Sequence, residues 1–340
     1  MSDAPSAAEA NQASAPPRAR QPLTSGSWFR NIGLVVALVL LIIVGIATSG
    51  ERFANIDNVL TILRLASAMG VLAIGMTFVI TTGGIDLSVG AVLGLATIWS
   101  TTVATQQMAE TSTWLIIPFT AMMVGLGCGV VNGILVAYGR IVAFIATLAM
   151  MVSARGVAEI ISNRQTQIVD VADFKTVMRG SFLGVPNLVW IFLVVAVIGW
   201  FLLNRTTFGR RTIAVGGNPE AARLAGINVK RHLVYVYSLC GLTAGIAAFM
   251  MVGRTNSGSS TTGYLYELDA IAAVVVGGTL LAGGRGTIVG TTLGVLLFTT
   301  LTNVFVQNNM SISAQAIAKG AIIVAAVLLQ QRFAAREKTA

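Results

Sequence analysis

TTGGIDLSVGAVLG, residues Thr81 to Gly94, is a polar, glycine-rich segment that lies between two apolar runs and carries a single carboxylate, Asp86. Burying a carboxylate in hydrocarbon is costly, so an aspartate in such a place marks either the edge of a membrane span or an interruption inside one. The segment therefore predicts a break at or within a membrane-spanning helix.

The composition places the whole chain among membrane proteins. Of 340 residues, 55% are hydrophobic and 10% are charged, whereas soluble domains carry about 25% charged residues. The net charge of +9 fits basic residues that flank apolar spans, so we expect no nucleic acid partner. The two cysteines, Cys128 and Cys240, lie far apart in apolar runs, which predicts neither a disulfide framework nor a metal site.

Ten apolar segments are expected to cross the membrane, at about 20 residues for a full crossing and fewer for a broken one. They run approximately over Ile32–Thr48, Leu63–Thr82, Val89–Val103, Trp114–Tyr138, Val142–Ile161, Leu188–Leu203, Leu233–Val252, Leu265–Ala282, Thr287–Val306 and Ile312–Leu329. Backbone groups in lipid must be paired internally, and the alternating short segments of an outer-membrane barrel are not seen. The predicted fold class is therefore all-α, a polytopic integral membrane protein with about ten transmembrane helices.

The two ends of the chain differ from this membrane domain, which we place at residues 31–332. Residues 1–30 are rich in Ala, Ser, Pro and Gln, which predicts a disordered tail, and residues 333–340 form a short second tail. Ten spans put both termini on one side, and most of the lysines and arginines fall on that side. We therefore expect both tails and the basic loop 204–232 in the cytoplasm.

The opening segment has a partial copy 200 residues further on. GGIDLSVGAVLG, starting at Gly83, and GGRGTIVGTTLG, starting at Gly283, are identical at half of their positions. Paired glycine-interrupted segments in two halves point to a transport pathway, so we expect two parallel repeats with broken helices. The alternative is that the glycines only allow helices to pack closely. The candidate pathway residues are Thr81, Thr82, Gly83, Gly84, Asp86, Ser88, Gly283 and Gly284.

Several charged residues within the spans have more than one interpretation. Asp86 either accepts the free N–H groups that open a helix from Leu87 onward or contacts a transported solute, and we favour the cap. Arg155 and Glu159, four residues apart on one helical face, are expected to pair with each other rather than to bind a solute. Lys319 has no obvious local partner, so it either extends to the membrane surface or contacts a carboxylate such as Asp86.

The basic loop contains the signals of a short helix within VGGNPEAARLAGINV, residues Val215 to Val229. Asn218 suits the N-cap, Pro219 the first helical position, and Glu220 the first turn, while Gly226 can adopt the left-handed conformation that ends a helix. The expected apolar surface consists of Ala221, Ala222, Leu224 and Ala225. A helix of about two turns needs something to pack against, which is either its own membrane spans or a cytoplasmic protein.

Three motifs in order resemble the permease subunit of ABC importers of the ribose, xylose and related monosaccharide class. They are TTGGIDLSVGAVLG, AVGGNPEAARLAGINV and ELDAIAAVVVGGTLLAGGRGTIVG, and the similarity covers about Asn55 to Arg332. The resemblance implies that the short helix is the coupling helix, which contacts an ABC ATPase subunit. On this match the coupling residues are Asn218, Pro219, Glu220, Ala221, Ala222, Ala225 and Gly226.

The same resemblance implies a location in the cell membrane and a set of partners. These are two ATPase modules, a second permease copy with a homodimer expected, and an extracellular or periplasmic sugar-binding protein. No cofactor is implied. The substrates it implies are pentoses first, then hexoses such as fructose or galactose.

The residues themselves agree with a transport subunit that is not an enzyme. No G-x-x-x-x-G-K-[ST] phosphate loop occurs in the sequence, so energy must come from a partner or from an ion gradient. The main alternative is an ion-coupled secondary transporter with Asp86 or Lys319 as its cation site. A membrane scaffold without a pathway is a third possibility.

Overall fold

The computed structural model describes residues 25–322 and residue 324, with the backbone alone for residues 25–30. Most of the predicted N-terminal tail, the end of the tenth predicted span and the predicted C-terminal tail lie outside these residues. The first helix begins at Ser25, so part of the predicted tail 1–30 is helical.

The described chain is almost entirely helical. The helices are α1 Ser25–Ser49, α2 Ile56–Thr81, α3 Val89–Ser100, α4 Val103–Thr111, α5 Ile116–Ala137, α6 Ala143–Ser162, α7 Ala172–Arg179, α8 Asn187–Arg205, α9 Thr207–Gly217, α10 Pro219–Leu224, α11 Val229–Thr255, α12 Tyr266–Val276, α13 Ile288–Gln307 and α14 over residues 312–322. A 3-10 turn spans Gly50–Arg52.

Four short strands complete the described structure and pair in two antiparallel ladders. They are β1 Gln167–Ile168, β2 Ser181–Phe182, β3 Val185–Pro186 and β4 Ser257–Gly258. Strand β1 pairs with β4, and β2 pairs with β3. The first ladder attaches the connection between α6 and α8 to the segment that follows α11.

Seven helices of the described part are long and apolar enough to cross a membrane, namely α1, α2, α5, α6, α8, α11 and α13. The predicted fold class, a polytopic all-α membrane protein, is therefore confirmed. Two of the predicted spans, Val89–Val103 and Leu265–Ala282, contain helices shorter than the predicted segments. Helix α3 has 12 residues and α12 has 11, which at about 1.5 Å per residue cover only half of a bilayer core of about 30 Å.

Helices α2 and α11 form the centre of the molecule, and they are equally buried and more buried than the other long helices. Glycines bring α5 against α11. A Cβ atom at Gly125 would overlap the backbone of Gly241 and Gly245, and one at Gly133 would lie 2.7 Å from the Cα of Val234. These pairs run in opposite directions along the two helices, so α5 and α11 are antiparallel and packed backbone to backbone.

The two glycine-rich segments aligned in the sequence do not occupy equivalent places in two parallel repeats. The first follows the long helix α2 and precedes the short α3, whereas the second follows the short α12 and precedes the long α13. Thr77, near the end of α2, bonds to Thr291, near the start of α13, and Asn58 bonds to Asn303 at the other end of the contact, so both glycine-rich segments lie at the same end of this antiparallel helix pair. The aligned segments are instead direct neighbours in space.

A second irregular segment follows α11, just as residues 82–88 follow α2. It spans residues 256–265 and is followed by the half-length helix α12. The connection between α6 and α8 packs over it, with Phe174 and Met178 buried and the Met178 side chain against Gly253. Each central helix is thus followed by a break and a half helix, which confirms the prediction of broken helices.

Candidate functional site

The first break begins where α2 ends, in a hydrogen-bonded turn that requires glycine. Gly83 has a φ of +82°, the left-handed conformation. The Gly83 N–H donates to the carbonyl of Ile80 at 2.9 Å, and the Gly84 N–H to that of Val79 at 3.1 Å. These two bonds make a Schellman motif, so the glycines predicted at this break have a specific backbone function.

Asp86 lies in the middle of the break and is 2% exposed. Its Oδ1 accepts the Ser88 N–H at 2.8 Å and the Ser88 hydroxyl at 2.6 Å. The amide of Asn132, on α5, donates to the same hydroxyl at 2.9 Å. Helix α3 begins at Val89, so the carboxylate caps the turn that leads into the helix rather than a helix starting at Leu87.

The space around Asp86 is closed. A gap of about 150 Å³ between side chains is lined by Asp86, Ser88, Val89, Val92, Gly129, Asn132, Gly241 and Ala244, and no part of it admits a water-sized sphere. Thr81, Thr82 and Ser88 are buried as well. A cavity that does admit water-sized spheres, with a volume of about 380 Å³, lies away from the breaks, where α2 begins and α13 ends. This conformation therefore has no open passage at the first break.

Two buried polar atoms near Asp86 have no hydrogen-bond partner among the described residues, namely Oδ1 of Asn132 and Oη of Tyr237. Both residues are almost fully buried, and such orphan atoms are uncommon in native proteins. In the sequence, Asn132 is a polar residue inside a predicted span and carries no motif signal. Tyr237 was missed, because one tyrosine in an apolar helix gives no periodic or motif signal.

The second break is held by Arg155, on α6. Its guanidinium donates to the carbonyl oxygens of Ser260 and Thr262. The prediction that Arg155 pairs with Glu159 is wrong, because Glu159 accepts instead from Arg164 at 3.0 Å. The prediction relied on the spacing of four residues along one helix. It could not include the free carbonyl groups of the irregular segment 256–265, because carbonyls inside regular helices are already paired and the sequence does not show which segment packs against α6.

The ammonium group of Lys319 pairs with a carboxylate on α12 and not with the carboxylate in the first break. Its Nζ lies 3.0 Å from Oδ2 of Asp269, so the predicted carboxylate partner exists, but it is Asp269 and not Asp86. The ion pair attaches α14 to the first turn of the half helix α12.

The short helix α10 in the basic loop has the predicted ends. The Asn218 side chain accepts the Ala221 N–H at 3.0 Å, and Pro219 takes the first helical position. Gly226 has a φ of +83°, and the Ile227 N–H donates to the carbonyl of Ala222 at 3.0 Å, which completes a Schellman motif.

The sequence suggested that the apolar residues in and next to α10 share one surface, and this prediction is wrong. Ala222 is 4% exposed and packs inward, whereas Leu224 is 81% exposed. Ala221 and Ala225 are exposed with Leu224, and so is the Glu220–Arg223 ion pair. One alanine thus seats the helix on the protein, and the remaining residues face outward.

Helix α9 connects α10 to both glycine-rich segments. It is seated by Thr212, whose hydroxyl lies 3.0 Å from Nε2 of the buried His232 on α11. At its end, a Cβ atom at Gly216 would overlap the carbonyl oxygen of Thr81 and lie 2.6 Å from the nitrogen of Gly284. The Gly284 N–H donates to that same Thr81 oxygen at 2.9 Å. The end of α9 and the two segments are therefore in backbone contact.

A helical membrane domain with broken helices at its centre is typical of membrane transport proteins. The chain matches the family described as branched-chain amino acid transport system / permease component over residues 58–327. It belongs to this family and is a multi-pass membrane protein and transport component.

Individual relatives are similar over nearly their whole length. The chain is 42% identical to the ribose import permease protein RbsC of Escherichia coli strain K12 over 310 residues, which cover 90% of this chain and 95% of the relative. It is 42% identical to the protein of the same name from Bacillus subtilis strain 168, covering 90% and 94%. The galactose/methyl galactoside import permease protein MglC of Salmonella typhimurium is 33% identical, covering 92% and 97%. The resemblance to monosaccharide importer permeases is thus confirmed.

Proposed function

We propose that the chain is the permease subunit of an ATP-driven importer for a monosaccharide, with ribose as the first candidate substrate. The identity of 42% to two ribose import permeases, against 33% to a galactose import permease, supports this order. A hydroxyl-rich solute also suits a break lined by amide, hydroxyl and carboxylate groups.

The observation that carries the proposal is the exposed, doubly capped helix α10. A helix of six residues is unstable in water by itself, yet here both its ends are closed by side-chain and backbone hydrogen bonds and its outer surface remains open. Such a helix is suited to contact a separate ATPase. The coupling residues are Asn218, Pro219, Glu220, Ala221, Ala225 and Gly226, while Ala222 acts by seating the helix.

The pathway that we propose passes the first break, where the side chains of Thr81, Thr82, Asp86 and Ser88 are buried in this conformation. Opening requires these buried groups to become accessible when the ATPase changes state. Cysteines introduced at Thr82 or Ser88 are expected to be protected from a water-soluble maleimide in one nucleotide state and to react in another.

The complete importer in this proposal contains two ABC ATPase subunits, two copies of the permease in the lipid bilayer, and an extracellular or periplasmic sugar-binding protein. Both termini and the loop that carries α10 lie in the cytoplasm, in accordance with the distribution of basic residues. The ATPase subunits hydrolyse ATP, and the permease is not an enzyme.

The experiment that tests the proposal is uptake into proteoliposomes that contain the permease, its ATPase and its binding protein. We expect ATP-dependent accumulation of radiolabelled ribose, with galactose, leucine and an ATPase-free sample as comparisons. Leucine uptake without ribose uptake would contradict the sugar assignment. Uptake driven by a proton or sodium gradient without the ATPase would instead establish the secondary transporter.

One observation disfavours that alternative. Lys319, one of its two candidate cation sites, already has the carboxylate of Asp269 as its partner. A cation site there would have to displace an ion pair at 3.0 Å.

A further inference from the structure

Backbone atoms of the end of α9 are in direct contact with backbone atoms of the two glycine-rich segments. The contact involves the Cα of Gly216, the carbonyl oxygen of Thr81 and the N–H group of Gly284. Gly283 adds to the cluster, because a Cβ atom there would lie 2.7 Å from the Gly216 oxygen and 2.8 Å from the nitrogen of Gly83. We call these residues, Thr81, Gly83, Gly216, Gly283 and Gly284, the glycine junction.

We propose that the glycine junction is the element that transmits movement of α10 to the pathway, and that Gly216 is its positioning residue. This inference rests on the proposed function. In this inference, the movement of α10 reaches the pathway through the end of α2 and the segment before α13. It does not travel through α11, the long helix that follows α10 in the chain.

The covalent geometry favours this assignment. Only Gly217 and Asn218 lie between Gly216 and the first residue of α10, and Asn218 bonds to both helices, through its N–H to the Ala214 carbonyl of α9 and through its side chain to the Ala221 N–H of α10. On the other side, α10 is separated from α11 by residues 225–228, which include the left-handed Gly226. A displacement of α10 therefore reaches the glycine junction through two residues.

The junction also couples the two segments to each other. The Gly284 N–H to Thr81 oxygen bond joins them directly at 2.9 Å, and Gly286 lies against the Thr81 side chain. Backbone groups have no rotamers with which to absorb a displacement, so the end of α2 and the segment before α13 should move together with α9.

Neighbouring glycines provide a matched pair of variants. In Gly216→Ala the new methyl group meets the backbone of Thr81 and must push the segments apart, whereas in Gly217→Ala the nearest atom, the Cα of Gly284, is 4.0 Å away. Overpacking of this kind costs about 1–3 kcal/mol. We expect Gly216→Ala to lower ribose transported per ATP hydrolysed by about tenfold, while Gly217→Ala stays within about twofold of the wild type.

The measurement is ribose uptake and ATP hydrolysis in the same proteoliposomes, together with the melting temperature of the complex. We expect Gly216→Ala to keep hydrolysing ATP while its ribose uptake falls, which is the result that defines uncoupling. Equal ratios in Gly216→Ala and the wild type would overturn the inference, whereas absence of ribose uptake by the wild type would instead contradict the proposed function.

A second pair keeps the inference testable if Gly216→Ala does not accumulate. In Gly286→Ala the methyl group meets Oγ1 of Thr81, a side-chain atom that Thr81→Ala removes. We expect Gly286→Ala to uncouple transport and the double variant to recover at least half of the ratio measured for Thr81→Ala alone. Normal coupling in Gly286→Ala, or no recovery in the double variant, would contradict the role of the junction.

Discussion

Nζ of Lys319 lies 3.0 Å from Oδ2 of Asp269, so an ion pair joins α14 to the half helix α12 inside the membrane domain. Both side chains are about one-quarter exposed or less. A charge in this setting is tolerated because its partner is present. The half helix α12 is too short to cross the bilayer by itself, so the pair supplies a fixed attachment for it.

Removing one charge of this pair is expected to be more harmful than removing both. Lys319→Met leaves the Asp269 carboxylate without its partner and should destabilise the protein by about 3 kcal/mol. Lys319→Met combined with Asp269→Asn removes both charges and should restore most of the stability. The melting temperature of the purified protein in detergent checks this, and equal losses in the single and double variants would contradict it.

The exposed Leu224 of α10 is expected to contribute to the contact with the ATPase. Leu224→Asp places a charge on a surface that is 81% exposed in the permease alone, so folding should be unchanged. Burial of that charge at an interface should reduce co-purification of the ATPase by about tenfold. Leu183→Asp is the matched control, because Leu183 is 78% exposed on the connection between α6 and α8. Full co-purification with Leu224→Asp would place the interface elsewhere.

Two adjacent alanines of α10 should respond differently to the same enlargement. Ala222 is buried, whereas Ala221 is exposed. Ala222→Trp has no space inside the protein and should unseat the helix, while Ala221→Trp should leave it in place.

Limited proteolysis of the loop measures this difference in the permease alone. We expect rapid cleavage between α9 and α11 in Ala222→Trp and wild-type resistance in Ala221→Trp. Similar resistance in both would show that Ala222 does not seat the helix.

The sequence was most informative where a signal is local. Length and apolarity predict the long helices, since each needs only its own residues to satisfy its backbone. The caps of α10 were predicted at Asn218 and Gly226 for the same reason, because a cap involves residues a few positions apart.

The sequence was least informative where partners come from distant parts of the chain. Lys319 pairs with a residue 50 positions away, and Arg155 with carbonyls more than 100 positions away. The similarity between the segments at Gly83 and Gly283 suggested parallel repeats, but both glycines have a left-handed φ, a local requirement that needs no repeat. Ala222 and Leu224 could not be assigned to opposite sides, because six residues are too few to define an apolar stripe.

Arg155 provides the last prediction, which concerns the second break. Nη1 of its guanidinium donates to the carbonyls of Ser260 and Thr262 at once, whereas the lysine side chain is one atom shorter and its nitrogen cannot reach both oxygens from the same backbone position. Arg155→Lys is therefore expected to lose at least one charge-assisted hydrogen bond, worth about 1.5–3 kcal/mol, and to loosen residues 256–265. Amide hydrogen exchange in this segment should accelerate by about tenfold or more. Arg164→Lys is the control, because Arg164 is 81% exposed and bonds only to Glu159 in the described structure. Unchanged exchange in Arg155→Lys would mean that the ladder between β1 and β4 holds the break without the arginine.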